Sequence, residues 1–385
     1  MGGAPLKPVV VLGATGSIGR QTIEVAERLE RPVVGLAAGH VSEALIELAA
    51  ALPDAAVAVA DPKASQDVPP ALTGRIAFGP DAVDELARLP GATIVNGIVG
   101  SAGLPPTLAA LTAGNEVALA NKESLVAGGP LVAAALERGG SLIPVDSEHS
   151  AIWQCLAGED PATVARLIVT ASGGPFRGRA AAELETVTPT DALAHPTWQM
   201  GPRITIDSAT LMNKAFEVIE AHWLFAIPYE RIDVVVHPQS FVHSLVEFVD
   251  GTVKAEVGPP DMRKPIQYAL THPRRRPAPH PPLDLVGRML TFEVPDRAVF
   301  PCLELGYEAG RRGGVATAVL NAADEVAVEA FLDGAIGFRA IARVIERTLD
   351  GFPDRVPVSL EDVLDADRQA RERARQAVAR EASRR

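Results

Sequence analysis

Cysteine and aromatic residues are scarce in this chain. Its 385 residues include two cysteines, three tryptophans and three tyrosines. The two cysteines, Cys155 and Cys302, are too few and too far apart for a disulfide framework or a thiolate metal cluster. We therefore expect reduced thiols and a cytoplasmic protein.

The chain also lacks an excess of positive charge and a long apolar run. Lys and Arg number 36 against 48 Asp and Glu, which gives a formal net charge of -12. That sign disfavours binding to the phosphate backbone of nucleic acids. Residues 1–8 do not have the charged head and apolar stretch of a secretory signal, and no apolar run is long enough to span a bilayer. We expect no nucleic-acid partner, no secretory signal and no membrane span.

Hydrophobic residues make up 47% of the chain, and their spacing changes along it. From residue 8 to about 146, short β-branched runs alternate with Ala- and Leu-rich stretches, which predicts a parallel sheet with crossover helices. Strand-like runs at 166–170 and 232–236, with a hairpin signal at Asp250-Gly251, predict a mixed or antiparallel sheet. A proline- and arginine-rich stretch after His272 indicates a linker, and amphipathic helical patterns follow it.

These patterns predict an α/β protein of more than one domain, as the chain length also requires. The predicted parts are a parallel α/β domain at residues 1–146 and a second α/β domain at 147–271. A linker at 272–300 and a C-terminal helical bundle at 301–385 complete the chain.

A glycine-rich turn joins the first predicted strand to the first predicted helix. Residues 13–19 read Gly-Ala-Thr-Gly-Ser-Ile-Gly, a pattern that brings bare backbone N–H groups and a helix N-terminus to a pyrophosphate. Such turns also serve packing alone, but the position at the first βα turn favours dinucleotide binding. After the second strand, Gly39 and His40 stand where an NAD site carries Asp or Glu, which favours NADP; an exposed loop is the alternative.

Polar residues also follow later strands of the predicted parallel sheet. Lys122 lies between Asn121 and Glu123, and it would either neutralise a bound polar group or form a solvated pair with Glu123. Asp146 and Glu148 are two apart in a segment we interpret as extended, so both carboxylates would point to one face. Two such oxygen ligands suit Mg²⁺ or Mn²⁺, although two acids in a loop are more often simply solvated.

A third carboxylate lies in a predicted helix within residues 207–217. Asn213, Lys214 and Glu217 share one face of that helix by their spacing. The same spacing also fits a surface pair between Lys214 and Glu217. We predict Ser208 at the helix start, where free N–H groups favour a phosphate.

Two further segments are candidates for substrate contacts. Ser172 follows a predicted strand and could donate a hydrogen bond to a phosphate. The loop at 195–201 contains His195, Trp198 and Met200, and it would be either a lid or a local packing cluster.

Taken in order, these segments resemble the 1-deoxy-D-xylulose 5-phosphate reductoisomerase family. The matching segments are residues 13–19, 120–124, 144–150, 172–177, 195–201, 212–221 and 259–263. The resemblance covers nearly the whole chain. It implies a homodimer whose subunits each have a Rossmann-like NADPH domain, a central catalytic domain with the dimer sheet, and the helical bundle.

The resemblance also implies the reaction, in which 1-deoxy-D-xylulose 5-phosphate is rearranged and then reduced by NADPH to 2-C-methyl-D-erythritol 4-phosphate. One divalent cation, Mg²⁺, Mn²⁺ or Co²⁺, would act as Lewis acid. This reaction is a step of non-mevalonate isoprenoid precursor biosynthesis.

The family motifs assign roles to individual residues of this chain. NADPH would contact Thr15, Gly16, Ser17, Ile18, Gly39, Asn121, Glu123 and Gly201. The metal would be held by Asp146, Glu148 and Glu217, which with Lys122 are the expected catalytic residues. The substrate backbone would meet Lys122, Ser147 and Glu148. Its phosphate end would be held by Ser172, His195, Ser208, Asn213 and Lys214, with Trp198 and Met200 on a lid.

One segment departs from the family pattern. Family members commonly carry Lys or Arg and then Asn after the glycine that matches Gly39, and this chain has His40-Val41. The 2′-phosphate would be recognised partly by His40 or by a basic residue elsewhere.

Two other functions stay open at this point. A simple NADP-dependent sugar-phosphate dehydrogenase would need the glycine turn but no set of three carboxylates. A redox-sensing NADP-binding scaffold would need neither the carboxylates nor a lid.

Overall fold

The computed structural model describes residues 7–63, 68–69 and 72–383, and it divides into two compact units. The first unit comprises Met1–Ser124, Leu131–Ser150 and Asp261–Pro281, and the second comprises Leu125–Pro130, Ala151–Pro260 and Pro282–Arg385. These borders differ from the predicted domain borders. The C-terminal helices share a unit with the second sheet, and residues 261–281 belong with the first.

A seven-stranded parallel sheet forms the centre of the first unit. Its strands are β1 (Val9–Leu12), β2 (Val33–Ala38), β3 (Ala56–Val59), β4 (Ile76–Phe78), β5 (Thr93–Asn96), β6 (Glu116–Leu119) and β7 (Ser141–Pro144). Their order is β4-β3-β2-β1-β5-β6-β7. The four residues of β1 are fully buried, as expected for a parallel strand covered on both faces. The order changes direction at β1 and β5, the point where open α/β sheets bind ligands.

The strands alternate with helices, which confirms the predicted α/β pattern. These are α1 (Ser17–Arg28), α2 (Glu43–Ala51), α3 (Pro80–Ala87), α4 (Leu104–Thr112), α5 (Glu123–Glu137) and α6 (Ser147–Cys155). Helix α10 (Arg263–Thr271) belongs to the first unit although it follows much later in the chain, whereas Leu125–Pro130 of α5 and residues 151–155 of α6 belong to the second.

Arg31 explains how α10 is attached to the parallel sheet. Its buried guanidinium donates hydrogen bonds to the carbonyls of Lys7 (2.6 Å) and Leu270 (2.5 Å) and to the hydroxyl of Thr93 (2.8 Å). Burial lowers the pKa of Arg31 to about 10, against the opposing charge of Glu116. A buried cation that satisfies three oxygens from distant segments fixes α10 on the first unit.

The second unit contains a four-stranded mixed sheet, as the sequence predicts. The strands are β8 (Val164–Ala171), β9 (Ile232–Val236), β10 (Val242–Phe248) and β11 (Val253–Val257), in the order β11-β10-β8-β9. Strands β8 and β9 are parallel, and β10 is antiparallel to both β8 and β11. The predicted turn at Asp250-Gly251 joins β10 to β11, with Gly251 at a φ of 82°.

Helices pack with this sheet around one hydrophobic core. They are α7 (Pro189–Leu193), α8 (Pro202–Thr210), α9 (Met212–Phe225), α11 (Cys302–Arg312), α12 (Ala316–Leu332), α13 (Ala340–Asp350) and α14 (Leu360–Ala382). The buried hydroxyl of Tyr307 on α11 donates to the carbonyl of Ile232 on β9 (2.7 Å). The last four helices confirm the predicted helical C-terminal region.

The predicted linker at 272–300 forms no helix or strand apart from a single bridge between Val236 and Glu293. None of the helices within the described ranges is both long and apolar enough to cross a membrane.

Candidate functional site

The glycine-rich turn lies between β1 and α1, and its glycines serve two purposes. Gly13 has a φ of 80°, and a Cβ at this residue would lie 2.6 Å from the carbonyl oxygen of Gly97. A Cβ on Gly19 would lie 2.3 Å from the carbonyl oxygen of Gly13. These two glycines are required by packing. Gly16 is exposed, begins α1 without a side-chain cap, and would bring a Cβ only to 3.4 Å from its nearest neighbour.

Several residues at the start of α1 are exposed, although the N–H of Gly16 itself donates to the carbonyl of Gly13 (3.1 Å). Gly16 and Ser17 are exposed, while Thr15 and Ile18 are half-buried. Gly39, at the end of β2, is also exposed and would meet no atom within 4 Å if it carried a Cβ. An exposed helix N-terminus of this kind is compatible with a bound anion, and the predicted pyrophosphate contact stays a prediction.

Asn121 and Glu123 organise the loop that follows β5. The buried amide of Asn121 donates to the carbonyls of Ile98 (2.7 Å) and Gly100 (2.9 Å), and the N–H of Gly100 donates to the carboxylate of Glu123 (3.1 Å). Both residues thus have a clear structural purpose in the first unit. Their predicted contact with a nucleotide remains a prediction.

Lys122 and His149 hold the carboxylate of Asp146. The buried ammonium of Lys122 lies 2.8 Å from Asp146 Oδ2, and His149 Nδ1 lies 3.0 Å from Asp146 Oδ1. His149 is not among the site residues predicted from the sequence. Its position one helical turn after Asp146 would have indicated the contact if residues 147–150 had been interpreted as helical.

The extended conformation predicted for Asp146 to Glu148 is wrong. Helix α6 begins at Ser147, so Glu148 lies in a first helical turn and its N–H donates to Asp146 Oδ1 (3.1 Å). Asp146 therefore accepts a free N–H at the start of the helix, as Asp does before many helices. The hydroxyl of Ser147 donates to Glu148 Oε2 (2.6 Å), so the two acids are placed by a helix start.

In the second unit, His195 joins its own loop to the end of β8. His195 Nδ1 accepts the N–H groups of Thr197 (3.2 Å) and Trp198 (2.9 Å), which leaves the ring proton on Nε2, 3.0 Å from Ser172 Oγ. Burial lowers the pKa of His195, and the positive charge of Lys214 lowers it further, so the ring is neutral near pH 7. His195 therefore donates to Ser172 while it shapes the loop.

The segment from His195 to Gly201 is a loop between α7 and α8, as predicted. Trp198 and Met200 are half-buried, and the Trp198 ring meets the ring of His243 edge-on at a centroid distance of 6.2 Å. The loop is therefore partly packed against its own unit. Its predicted movement as a lid stays a prediction.

The predicted position of Ser208 at a helix start is wrong. Ser208 lies in the last turn of α8, and Leu211 separates α8 from α9 with a φ of 62°. A left-handed leucine interrupts the helix without the glycine or proline that usually reveals such a break, so the pattern of 207–217 looked like one helix. The N-terminal turn nearest in sequence belongs to α9 and contains Asn213 and Lys214.

Asn213, Lys214 and Glu217 form a buried polar group on α9. Asn213 Nδ2 donates to Glu217 Oε1 (2.6 Å), and Lys214 Nζ donates to Glu217 Oε2 (2.5 Å). Glu217 is 1% exposed and Lys214 is 7% exposed. The alternative of a solvated surface pair is therefore wrong. Burying two charges is costly in free energy even when they are paired, which points to a function beyond stability.

Three family models match the chain over most of its length. Residues 9–129 match 1-deoxy-D-xylulose 5-phosphate reductoisomerase, residues 142–225 match the C-terminal domain of that enzyme, and residues 257–373 match the DXP reductoisomerase C-terminal domain.

Similar proteins carry the same family description. The 1-deoxy-D-xylulose 5-phosphate reductoisomerase of Pelotomaculum thermopropionicum is 49% identical over 375 residues, covering 95% of this chain and 97% of that protein. The enzyme of Mycobacterium marinum is 52% identical over 382 residues, covering 97% and 93%.

Solved structures show the same architecture. The reductoisomerase of Zymomonas mobilis in complex with NADPH has a TM-score of 0.90 at 45% identity, with 97% of this chain and 99% of that chain covered. A DOX-P reductoisomerase in complex with NADPH, fosmidomycin and magnesium has a TM-score of 0.92 at 37% identity, with 97% and 98% covered.

Proposed function

The chain belongs to the 1-deoxy-D-xylulose 5-phosphate reductoisomerase family, and we propose that it converts 1-deoxy-D-xylulose 5-phosphate into 2-C-methyl-D-erythritol 4-phosphate. NADPH is the reductant and one divalent cation is required. The observation that carries this function is the identity of about half of all residues to reductoisomerases along nearly the whole chain. Family members catalyse the rearrangement together with the reduction, so the simple dehydrogenase is the weaker alternative.

The glycine turn fits NADPH by its shape and by its position at the N-terminus of α1. Gly16 leaves space for close approach at the N-terminus of α1, where backbone N–H groups favour a pyrophosphate. The absence of an acid at residues 37–42 removes repulsion against a 2′-phosphate. When bound, NADPH supplies the hydride. We assign the contacts to Thr15, Gly16, Ser17, Ile18, Gly39, Asn121, Glu123 and Gly201.

The proposed metal ligands are the carboxylates of Asp146, Glu148 and Glu217. Carboxylate oxygens are the ligands that Mg²⁺ and Mn²⁺ prefer, and a bound cation supplies Lewis acidity. Lys122 and His149 orient Asp146, while Asn213 and Lys214 orient Glu217. Such supporting contacts fix the direction of a ligand before the ion arrives, which favours a defined geometry.

The proposed phosphate contacts in the second unit are Ser172, His195, Ser208, Asn213 and Lys214. The neutral His195 can offer its Nε2 proton to a phosphate oxygen as readily as to Ser172. Lys214 supplies a buried positive charge. Lys122, Ser147 and Glu148 would meet the substrate backbone, and Trp198 and Met200 would cover the substrate and exclude water.

We also propose that the enzyme is a cytoplasmic homodimer. Large apolar side chains are exposed in the segment that follows the proline-rich stretch, with Val286 at 89%, Met289 at 75% and Val294 at 90% exposure. An apolar group of this kind is typical of a protein interface. Sedimentation velocity at micromolar concentration should give the mass of two chains. A single species of 40.4 kDa would contradict the dimer.

Activity is tested by following NADPH absorbance with 1-deoxy-D-xylulose 5-phosphate, with and without a chelator, and by NMR of the product. We expect NADPH loss only when Mg²⁺ or Mn²⁺ is present, with a branched polyol phosphate as product. Reduction that persists with the chelator and gives an unbranched product would favour the simple dehydrogenase. NADPH binding without any turnover would favour the redox-sensing scaffold.

A further inference from the structure

Arg203 connects the end of the loop at residues 195–201 to the C-terminal helices. It lies near the start of α8, two residues after Gly201. Its guanidinium donates to Glu325 Oε1 (2.9 Å) and Asn321 Oδ1 (2.9 Å), and it lies 3.5 Å from Asp324 Oδ2. All three acceptors are on α12, so one planar group fixes the start of α8 on a single neighbouring helix.

The next partner in this cluster comes from α14, the last helix of the chain. Arg371 Nη2 donates to Glu325 Oε2 (2.6 Å), so each oxygen of Glu325 accepts from one arginine. Arg371 also donates to Asp367 on its own helix (2.6 Å). Burial alone would raise the pKa of Glu325, but Arg203 and Arg371 lower it below its usual value. Glu325 is therefore ionised and links α8 to α14.

Asp324 and Asp207 are two further carboxyl groups near the guanidinium of Arg203. Asp207 lies one turn after Arg203 on α8, with Oδ2 3.8 Å from the guanidinium. Asp324 is fully buried, and burial together with the neighbouring carboxyl of Asp207 raises the pKa of Asp324 well above its usual value. A group of buried acids around one arginine costs more free energy than an apolar contact would, so stability alone does not account for it.

The opposite end of the loop is also held. His195 bonds to Ser172 at the end of β8 and accepts the N–H groups of Thr197 and Trp198. Residues 196–200 lie between the two attachments, form no helix or strand, and are partly or fully exposed. A segment with two fixed ends and an irregular middle has the form of a closing loop.

We propose that Arg203 is a positioning residue, which holds the C-terminal end of the loop on α12 so that Trp198 and Met200 reach the substrate when the loop closes. Glu325 and Arg371 extend this role to α12 and α14. The inference rests on the proposed function, because it takes the loop to close over the ketose phosphate. Arg203 affects substrate binding only through the position of the loop.

The test compares three variants that each change one arginine of the second unit. Arg203→Lys keeps the positive charge but loses the fork that spans Asn321 and Glu325. Arg371→Ala removes the second arginine that donates to Glu325. Arg347→Ala is the matched control, because Arg347 also donates to a nearly buried carboxylate, Glu381 (2.5 Å), but joins α13 to α14 and not to α8.

We expect Arg203→Lys to raise the KM for 1-deoxy-D-xylulose 5-phosphate about 10-fold while the Kd for NADPH stays unchanged. Arg371→Ala should raise the same KM about threefold, and Arg347→Ala should leave it at the wild-type value. Chymotrypsin should cut the substrate-saturated Arg203→Lys enzyme after Trp198 faster than it cuts the saturated wild type.

Equal KM values for all three variants and the wild type would overturn the inference, even if their melting temperatures differ. If Arg203→Lys does not fold, the KM of Arg371→Ala is compared with the KM of Arg347→Ala. Equal values for these two variants would overturn the inference. A wild-type enzyme without substrate-dependent NADPH loss would instead refute the proposed function.

Discussion

The glycine turn of the first unit and the α9 face of the second unit present polar groups in opposite ways. In the turn, the donors are backbone N–H groups, and glycines keep side chains away from them. On α9, the polar atoms belong to Asn213, Lys214 and Glu217, which are buried and bonded to one another. Binding at a site formed by backbone N–H groups depends on the fold around it. A site made of paired charges depends on which side chains are present.

This difference predicts opposite results for substitutions in the two regions. In the turn, a small added group should damage the fold or the close approach of the ligand. On α9, a change of charge at constant size should damage function first. The following predictions test the comparison.

The largest effect is expected for Glu217→Gln. Because α9 contributes this one carboxylate to the proposed set with Asp146 and Glu148, metal affinity should fall about 10-fold or more and turnover should collapse. Lys214 would also lose its carboxylate partner, so the melting temperature should fall. Mn²⁺ titration followed by electron paramagnetic resonance, with circular dichroism as a check of folding, measures both effects.

NADPH affinity is the control for this variant, because the turn at 13–19 belongs to the other unit. It should stay at the wild-type value. Normal turnover of Glu217→Gln at limiting Mg²⁺ would show that Glu217 is not a metal ligand and that its buried contacts serve stability alone.

A pair of glycine variants separates packing from binding in the turn. Gly19→Ala places a Cβ against the carbonyl oxygen of Gly13 and should cost about 3 kcal/mol of stability, with loss of NADPH binding. Gly16→Ala has room for its Cβ, so the fold should be kept while NADPH affinity falls about 10-fold. Thermal denaturation and NADPH titration of both variants test this. If Gly16→Ala binds NADPH normally, the pyrophosphate does not approach Gly16.

A smaller effect is expected for Trp198→Ala, which removes a side chain from the loop between α7 and α8. Because Trp198 is half-buried and contacts His243 only at a ring edge, the melting temperature should change little. KM for the substrate should rise and kcat should fall, each about fivefold, since closure of the loop is weakened. A large loss of stability with normal kinetics in the folded fraction would identify Trp198 as a packing residue.

The smallest effect is expected for cofactor choice. The segment after β2 has no acid to accept the ribose hydroxyls of NADH, but it offers only His40 toward a 2′-phosphate. The specificity constant should favour NADPH over NADH by about 10-fold. Steady-state kinetics with both cofactors measure the ratio, and equal constants would contradict the prediction.

Periodicity predicted the regular elements well because burial repeats along them. The buried run at Val9–Leu12 and the helix after Gly16 follow directly from the pattern. The border of the first unit was not predictable in this way. It depends on Arg31 and its bond to Leu270, a contact between residues more than 200 positions apart that leaves no local signal.

Site residues could be predicted from the sequence only where the local conformation was predicted correctly. The spacing of Asn213, Lys214 and Glu217 predicted their shared face, because all three lie within one helix. The conformations predicted around Glu148 and Ser208 are wrong. Asp146 is a residue type that often precedes a helix and is a signal for the start of α6, whereas a left-handed Leu211 carries no clear sequence signal. Arg203 was not predicted because its partners on α12 follow more than 100 residues later.

Leu211 also determines where the chain can tolerate changes in length. Each residue added to or removed from a helix turns all later side chains by about 100° about the axis. Deleting Leu211 would fuse α8 with α9 and rotate Asn213, Lys214 and Glu217 away from their present direction. Within residues 196–200, an added residue would only lengthen an irregular segment. A one-residue insertion between Arg203 and Glu217 should therefore be more damaging than one within residues 196–200.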